Sequence, residues 1–428
     1  MNRKMDDLMR GQIFKWLDSL ILGLVALLTH LSIFVCYDRS MEPPSACTYG
    51  SPQLQLSFLF IIALFVFWRL RFEGVGRQYW FTWKRNWPLA IFIILALSSL
   101  GWTVLVGGTL YRALLASFLG VIAIFYGSRI SSRDLLVYVV FTVGILALAS
   151  LFVALVWPQA GITHAPPYEG LWRGVFWHKI YLGATMALGY IAGLVILFSS
   201  RTQFAWLQRV LAVGVIVLCS VLAVLSDSAS GLMVFAIQTG LFILVYAWLT
   251  WGYRISRRGY WLLGVAAAIG IMIVLGNLDV VFSLFNRSAT MTGRTDMWAH
   301  VLTTYAFQRP YLGHGFGAFW LQPGINQAIQ VVVGWGYPVK VGDNGYLDVF
   351  LGLGGAGLLL LLVMLARGAW QAMTLAIRGR DLILFFPAFV LAHIIFINIS
   401  LSYLVEFESF IWFLLVLVLA HVSKQETG

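Results

Sequence analysis

Apolar residues occur in long continuous runs along this chain, and short polar segments separate the runs. A helix that crosses the hydrocarbon core of a bilayer needs about 20 such residues, and this length divides the chain into about twelve predicted spans. The predicted spans are 13–35, 53–70, 87–106, 110–128, 134–157, 177–199, 205–225, 230–251, 259–279, 345–366, 382–402 and 408–423. The pattern predicts an all-α polytopic membrane protein, with residues 1–428 forming a single integral-membrane domain.

The composition narrows the possible classes of protein. Hydrophobic residues make up 61% of the chain and charged residues 11%, whereas a soluble domain is about half apolar and about a quarter charged. This excludes a water-soluble fold, a secreted disulfide scaffold, a disordered chain and a nucleic-acid-binding protein, despite the net charge of +11. The three cysteines lack metal-ligand spacing, and Cys36 and Cys47, in one predicted external segment, could pair in an oxidising compartment.

The basic residues predict an orientation. Lys and Arg accumulate in the cytoplasmic loops of membrane proteins, and they fall in alternate loops here when the N-terminus is cytoplasmic. Both termini are then cytoplasmic, and a segment of about 65 residues, 280–344, lies outside between the ninth and tenth spans. Because this length far exceeds that of ordinary connections, we expect the segment to be functional and to carry short helices. The cytoplasmic loops are short and contain no nucleotide-binding motif, so we expect any chemistry to occur outside, without ATP or a nucleotide-sugar donor.

The long external segment contains a predicted helix with a candidate site residue at its start. Trp298, Val301, Leu302 and Tyr305 follow helical spacing. Arg294 precedes them, where free backbone N–H groups and a guanidinium could together hold a phosphate or diphosphate. An ordinary contact between an arginine and a lipid headgroup is the alternative interpretation.

Two further external motifs supply polar candidates. The sequence DNGYLD precedes the tenth span, and its Asp343 is a candidate general base for a sugar hydroxyl if an arginine or water held it in place. The sequence WRGVFWHK brings Arg173, His178 and Lys179 to one membrane edge, where headgroup anchoring is the alternative role.

The segment RPYLGHGFGAFW, residues 309–320, has alternating glycines. Glycine lets a backbone approach a ligand or another helix closely, so this segment could form a tight turn or shape a site. Arg309 and His314 are its polar candidates, although a histidine among aromatic residues is more often structural.

The motifs occur in the order WRGVFWHK, SDSASG, GRTDMW, RPYLGHGFGAFW and DNGYLD, followed by a glycine-rich helix start. Over residues 160–366 this order resembles the O-antigen ligase and polymerase superfamily, and within it the exopolysaccharide repeat-unit polymerase branch. The resemblance implies a multi-pass glycosyltransferase of the bacterial inner membrane whose active site faces the periplasm. It implies an undecaprenyl-diphosphate-linked glycan as donor, a second glycan as acceptor, inversion at the anomeric carbon, and no metal or cofactor. Partners implied in the same way are membrane lipid, a flippase and a chain-length regulator.

The resemblance also implies roles for individual residues. Arg294 and Arg173 match the arginines that bind the diphosphate. Asp343-Asn344 replaces the His-Asn pair that activates the acceptor hydroxyl, so the base is a carboxylate here or the role moves to His178 or His314. The predicted catalytic residues are Asp343, Arg294 and Arg173, and the predicted substrate-binding residues are His178, Lys179, His314, Asn344 and Arg309.

Two other functions stay open at this point. A ligase of the same superfamily would transfer the glycan to lipid A core instead of to a second repeat unit. A secondary transporter would also fit twelve helices with both ends inside, although a long external segment in one half only breaks the expected symmetry.

Overall fold

The computed structural model describes residues 52–164, 168–252, 294–322, 324–334, 339, 341–404 and 410–424, together with 18, 20–26 and 29. We number its α-helices of nine residues or more α1 (Pro52–Phe72), α2 (Gly76–Arg85), α3 (Trp87–Ser98), α4 (Val106–Gly127), α5 (Ser132–Val156), α6 (Lys179–Phe198), α7 (Trp206–Leu225), α8 (Ala229–Trp251), α9 (Arg294–Thr304), α10 (Ile325–Val333), α11 (Gly345–Gly379), α12 (Phe386–Ile397) and α13 (Phe410–Lys424). These ranges contain no strand, only an isolated antiparallel bridge between Ile162 and Trp172. The predicted all-α polytopic membrane fold is confirmed.

The predicted spans that fall within the described ranges all coincide with helices. Of the helices in the described ranges, seven, namely α1, α4 to α8 and α11, are long and apolar enough to cross a membrane, and α3, α12 and α13 are shorter apolar helices. The span predicted at 87–106 is shorter than expected, because helical structure stops at Gly101 and the Val104 N–H bonds to the His314 carbonyl. The span at 259–279, Cys36 and Cys47 lie outside the described residues, and of the span at 13–35 only a part is described, with 20–26 helical.

Helix α6 is the most buried of the long helices and packs against α5, α7 and α8. Small residues allow this close approach, as is usual where helices pack in a membrane. A Cβ atom added to Gly231 of α8 would lie 2.8 Å from the Cα atom of Gly183 in α6. The first turns of α6 and α8 are therefore held together, and the motifs WRGVFWHK and SDSASG meet there.

Helix α11 is not the continuous span predicted at 345–366. It extends to Gly379 and is interrupted at Gly354, whose φ of 64° and ψ of −163° belong to a region that only glycine occupies readily. The glycine-rich segment lies against the break and satisfies backbone groups on both sides of it. The hydrogen bonds run from His314 N–H to Leu351 O (2.8 Å), from Gly315 N–H to Gly352 O (3.0 Å), from Gly355 N–H to Pro310 O (2.7 Å) and from Ala356 N–H to Tyr311 O (3.2 Å). Such compensation is what allows a broken helix within a membrane protein.

The motifs that the sequence predicts to be external gather at one end of the helix bundle. The Trp172 N–H bonds to the Leu225 carbonyl at the end of α7, and the Gly345 N–H bonds to the Asn398 carbonyl after α12. The opposite end carries exposed basic side chains, namely Arg71, Arg77, Lys84, Arg129, Arg133, Arg201, Arg378 and Arg380. This separation is the one expected if the basic end faces the cytoplasm and the motif end faces outside.

Candidate active site

An ion pair between Arg294 and Asp343 forms the centre of the candidate site. Arg294 is the first residue of α9, and its Nε atom lies 2.9 Å from Oδ2 of Asp343. The two side chains are 14% and 21% exposed, so they are partly shielded but still reachable by a substrate. The sequence suggested Asp343 as a base provided that a neighbouring arginine held it, and the structure supplies that arginine.

The backbone of the turn before α11 directs Asp343 towards α9. Asp343 has a φ of 47°, a left-handed conformation in which Asp and Asn are enriched among non-glycine residues. The preceding residue, Gly342, is held from two sides: its carbonyl accepts a hydrogen bond from Trp298 Nε1 (2.7 Å), and its N–H donates to Asp348 Oδ1 (3.2 Å). A Cβ atom at Gly342 would lie 2.4 Å from Asp348 Oδ1, so a larger residue would displace the turn.

Asp348 is a supporting residue whose role the sequence did not reveal. It is 3% exposed, and its Oδ1 also accepts a hydrogen bond from Trp320 Nε1 (2.7 Å). The sequence alone suggests only that Asp348 is an acidic residue in the first turn of a helix. A carboxylate at the start of an apolar run is energetically costly unless it has hydrogen-bond partners. This cost was the one signal in the sequence that pointed to a structural role.

Arg173 repeats the geometry of Arg294. Its Nε atom donates to the Ala160 carbonyl (2.8 Å), as Arg294 Nε donates to Asp343. Among the described residues, no hydrogen bond or ion pair occupies the Nη1 and Nη2 atoms of either arginine. Each guanidinium is thus oriented through Nε, while its Nη groups, each with two N–H donors, are available to phosphate oxygens.

His178 lies near enough to both arginines for their charges to act on it. It is the N-cap of α6, and its Nδ1 accepts a hydrogen bond from the Ile180 N–H (3.3 Å). Burial, followed by the positive charges of Lys179, Arg294 and Arg173, lowers the pKa of His178 to about 3. The ring is therefore neutral at physiological pH, and because Nδ1 accepts, its proton is assigned to Nε2, which becomes a donor.

Lys179 is bound to Asp227 of the neighbouring SDSASG motif. Its side chain is buried, and Nζ donates to the Asp227 carbonyl (2.7 Å) with the Asp227 carboxylate at 3.8 Å. Ser228 then caps α8 by accepting a hydrogen bond from the Gly231 N–H (3.1 Å), as expected for a turn and helix cap. Lys179 therefore adds positive charge near His178 while it joins the starts of α6 and α8.

The other predicted substrate-binding residues have structural contacts. Asn344 caps α11, with Oδ1 accepting from the N–H groups of the second and third helical residues (both 3.1 Å). Arg309 donates to the Trp102 carbonyl (3.1 Å) and is exposed. Burial lowers the pKa of His314, whose Nε2 lies 3.1 Å from the Tyr305 carbonyl. No hydrogen bond or ion pair within the described ranges joins Arg309 or His314 to the Arg294–Asp343 pair, and no cluster there could hold a metal ion.

Comparison with known proteins shows which proteins the sequence is similar to. Residues 214–362, which include Arg294 and Asp343, match the family model described as O-antigen ligase. The resemblance to the O-antigen ligase and polymerase superfamily is confirmed. The chain is also 27% identical over 216 residues to the exopolysaccharide production protein ExoQ of Rhizobium meliloti (strain 1021).

The matches cover only part of the molecules compared. The alignment with ExoQ includes 48% of this chain and 48% of that protein, so the chain spans about half the length of the curated relative it matches. Because the coverage is partial, the activity, the substrates and the mechanism are proposed below.

Proposed function

We propose that the protein polymerises undecaprenyl-diphosphate-linked polysaccharide repeat units on the periplasmic face of a bacterial inner membrane. The observation that carries the proposal is the contact between Arg294 and Asp343, which joins a phosphate-binding cation to a potential base. The name of ExoQ, an exopolysaccharide production protein, favours the polymerase branch.

The proposed reaction is a single displacement at the anomeric carbon of the donor glycan. The acceptor hydroxyl oxygen forms a bond to that carbon while the bond from the carbon to the diphosphate oxygen breaks, with inversion. The hydroxyl proton moves to Asp343, through the carboxylate oxygen that Arg294 does not hold. The leaving undecaprenyl diphosphate takes the electron pair.

The arginines would stabilise the leaving group. Negative charge accumulates on the diphosphate as the bond breaks, and donors already aimed at that charge lower the barrier. The Nη groups of Arg294 and Arg173 suit this role, because both side chains are oriented before substrate arrives. His178 Nε2 can add a neutral hydrogen-bond donor. Lys179 adds positive electrostatic potential while its Nζ stays hydrogen-bonded to the Asp227 carbonyl. The countercharge is thus supplied by side chains, and the proposed transfer is metal-independent.

Transfer of the glycan to lipid A core is the second candidate function. The description of the matching family model, O-antigen ligase, favours it. Asp343-Asn344 in place of the His-Asn pair of the ligases favours the polymerase. A flippase and a chain-length regulator are the partners we propose for the polymerase, while neither match favours a transporter.

Reconstitution distinguishes the two candidates. Purified protein in nanodiscs is incubated with synthetic undecaprenyl-diphosphate oligosaccharide, without nucleotide and with a metal chelator. A ladder of products supports the polymerase, a single transfer to added lipid A core supports the ligase, and no product with either acceptor contradicts both. Arg201→Ala, an exposed arginine at the opposite end, is the matched control for Arg294→Ala and should retain full activity.

A further inference from the structure

Helix α2 lies at the basic end of the bundle, far along the chain from the motifs of the candidate site. It connects the end of α1 to the start of α3, so both of its ends lie at one face of the bundle. Its inner face is docked: Thr82 is buried, Gln78 donates to the Ser128 carbonyl (2.9 Å), and Arg85 donates to the Ser423 carbonyl (3.0 Å). The helix therefore follows this face and does not cross the membrane.

The outer face of α2 carries two cations and two aromatic rings. Arg77, Trp80, Phe81 and Lys84 are all exposed and occupy positions i, i+3, i+4 and i+7, which share one helix face. Trp80 is 59% and Phe81 45% exposed. Arg77 lies over Phe81 (5.7 Å to the ring centre) and Lys84 over Trp80 (5.5 Å).

The aromatic surface continues onto the neighbouring helices. Trp68 and Phe72 at the end of α1 are 48% and 70% exposed, and Trp87 at the start of α3 is 44% exposed. Aromatic residues concentrate where a membrane protein meets the headgroup region. This surface therefore marks the level of the headgroups, and α2 lies at that level.

We propose that the outer face of α2 is a binding site for anionic phospholipid headgroups. No ion pair within the described residues neutralises Arg77 or Lys84, so both can meet phosphate. Seven residues of α-helix place the two cations about 10 Å apart along the axis, on either side of the two rings. An anionic phospholipid matches both features, because its net negative headgroup can contact the cations and its acyl chains can contact the aromatic rings. The inference does not depend on the proposed polymerase reaction.

Lipid binding to matched double variants tests this site. Full-length protein in detergent is titrated with phosphatidylglycerol or phosphatidylcholine, and bound lipid is counted by native mass spectrometry. Each basic residue near an anionic membrane surface increases the binding affinity about fivefold. Arg77→Gln combined with Lys84→Gln should therefore weaken phosphatidylglycerol binding roughly 30-fold and leave phosphatidylcholine binding unchanged. Arg201→Gln with Arg378→Gln makes the same charge change at the same end, away from the aromatic pair, and should have little effect.

The aromatic pair gives an independent readout. Trp80→Ala with Phe81→Ala should weaken binding of both lipids, because it removes apolar contact and leaves the charges. The proposal is overturned if the Arg77 and Lys84 variant keeps its preference for phosphatidylglycerol, or if the control variant loses as much. It is equally overturned if the α2 variants bind lipid normally but lose a protein that co-purifies with the unaltered chain, because α2 would then be a protein-binding surface. Glycosyl transfer measured in parallel shows separately whether the reaction is affected.

Discussion

Replacement of Arg294 by lysine tests whether the geometry of its guanidinium matters beyond its charge. In the structure Arg294 Nε holds Asp343 at 2.9 Å, while both Nη groups have no partner among the described residues. A lysine ammonium is a point charge without this planar fork. It could contact Asp343 or a phosphate, but it could not hold both in fixed positions.

The size of the effect follows from these contacts. Loss of one preorganised donor to a developing charge costs about 10²- to 10³-fold in kcat. We therefore expect Arg294→Lys to reduce kcat about 10²-fold and Arg294→Ala about 10³-fold or more, with normal insertion and accumulation of both variants. The assay is the initial rate of undecaprenyl diphosphate release in nanodiscs, with Arg201→Lys as the control at the opposite end.

A double-mutant cycle provides the decisive comparison. If Arg294 and Asp343 act through their contact, the effects of Arg294→Ala and Asp343→Asn should be strongly non-additive, since each change already disables the pair. Additive losses would refute the idea of a functional pair. Wild-type turnover by a well-expressed Arg294→Ala protein would remove Arg294 from the mechanism altogether.

Two other substitutions test the base and the broken helix. Asp343→Asn keeps the side-chain shape but cannot take up the hydroxyl proton, so turnover should fall by about 10²- to 10⁴-fold; unchanged turnover would rule out Asp343 as the base. Gly354→Ala should destabilise the protein by at least about 1–3 kcal/mol from its φ alone, and the new Cβ would lie 2.2 Å from the Tyr311 carbonyl carbon. The measurement is the Tm in detergent, with Gly214→Ala, where nothing lies within 4 Å, as a control expected to be neutral; equal Tm values would contradict the role assigned to Gly354.

The positions of most helices are determined by the sequence itself. A run of about 20 apolar residues must be helical in a bilayer, because only then are its backbone groups satisfied without water. Helices α6, α7 and α8 accordingly begin and end within two residues of the predicted spans. Helix α2 was not predicted, because it is short and its polar and aromatic residues resemble an ordinary interfacial loop.

The sequence also identified Arg294, Arg173 and Asp343 as candidates, through residue type and motif resemblance. It could not decide that Arg294 Nε meets Asp343, because 49 positions separate the two residues and only the packing of α9 beside the start of α11 joins them. The support from Asp348, Trp298 and Trp320 was equally hidden.

The break in α11 at Gly354 is likewise a feature that the tertiary structure decides and the sequence does not predict. Its surroundings form one apolar, glycine-rich run that predicts a continuous helix. Only the segment at 310–315, folded back against the break, provides the hydrogen bonds that make an interrupted helix stable. The length of an apolar run is a local property and can be recognised in the sequence. Hydrogen bonds between distant segments depend on how the helices pack, and only the tertiary structure decides them.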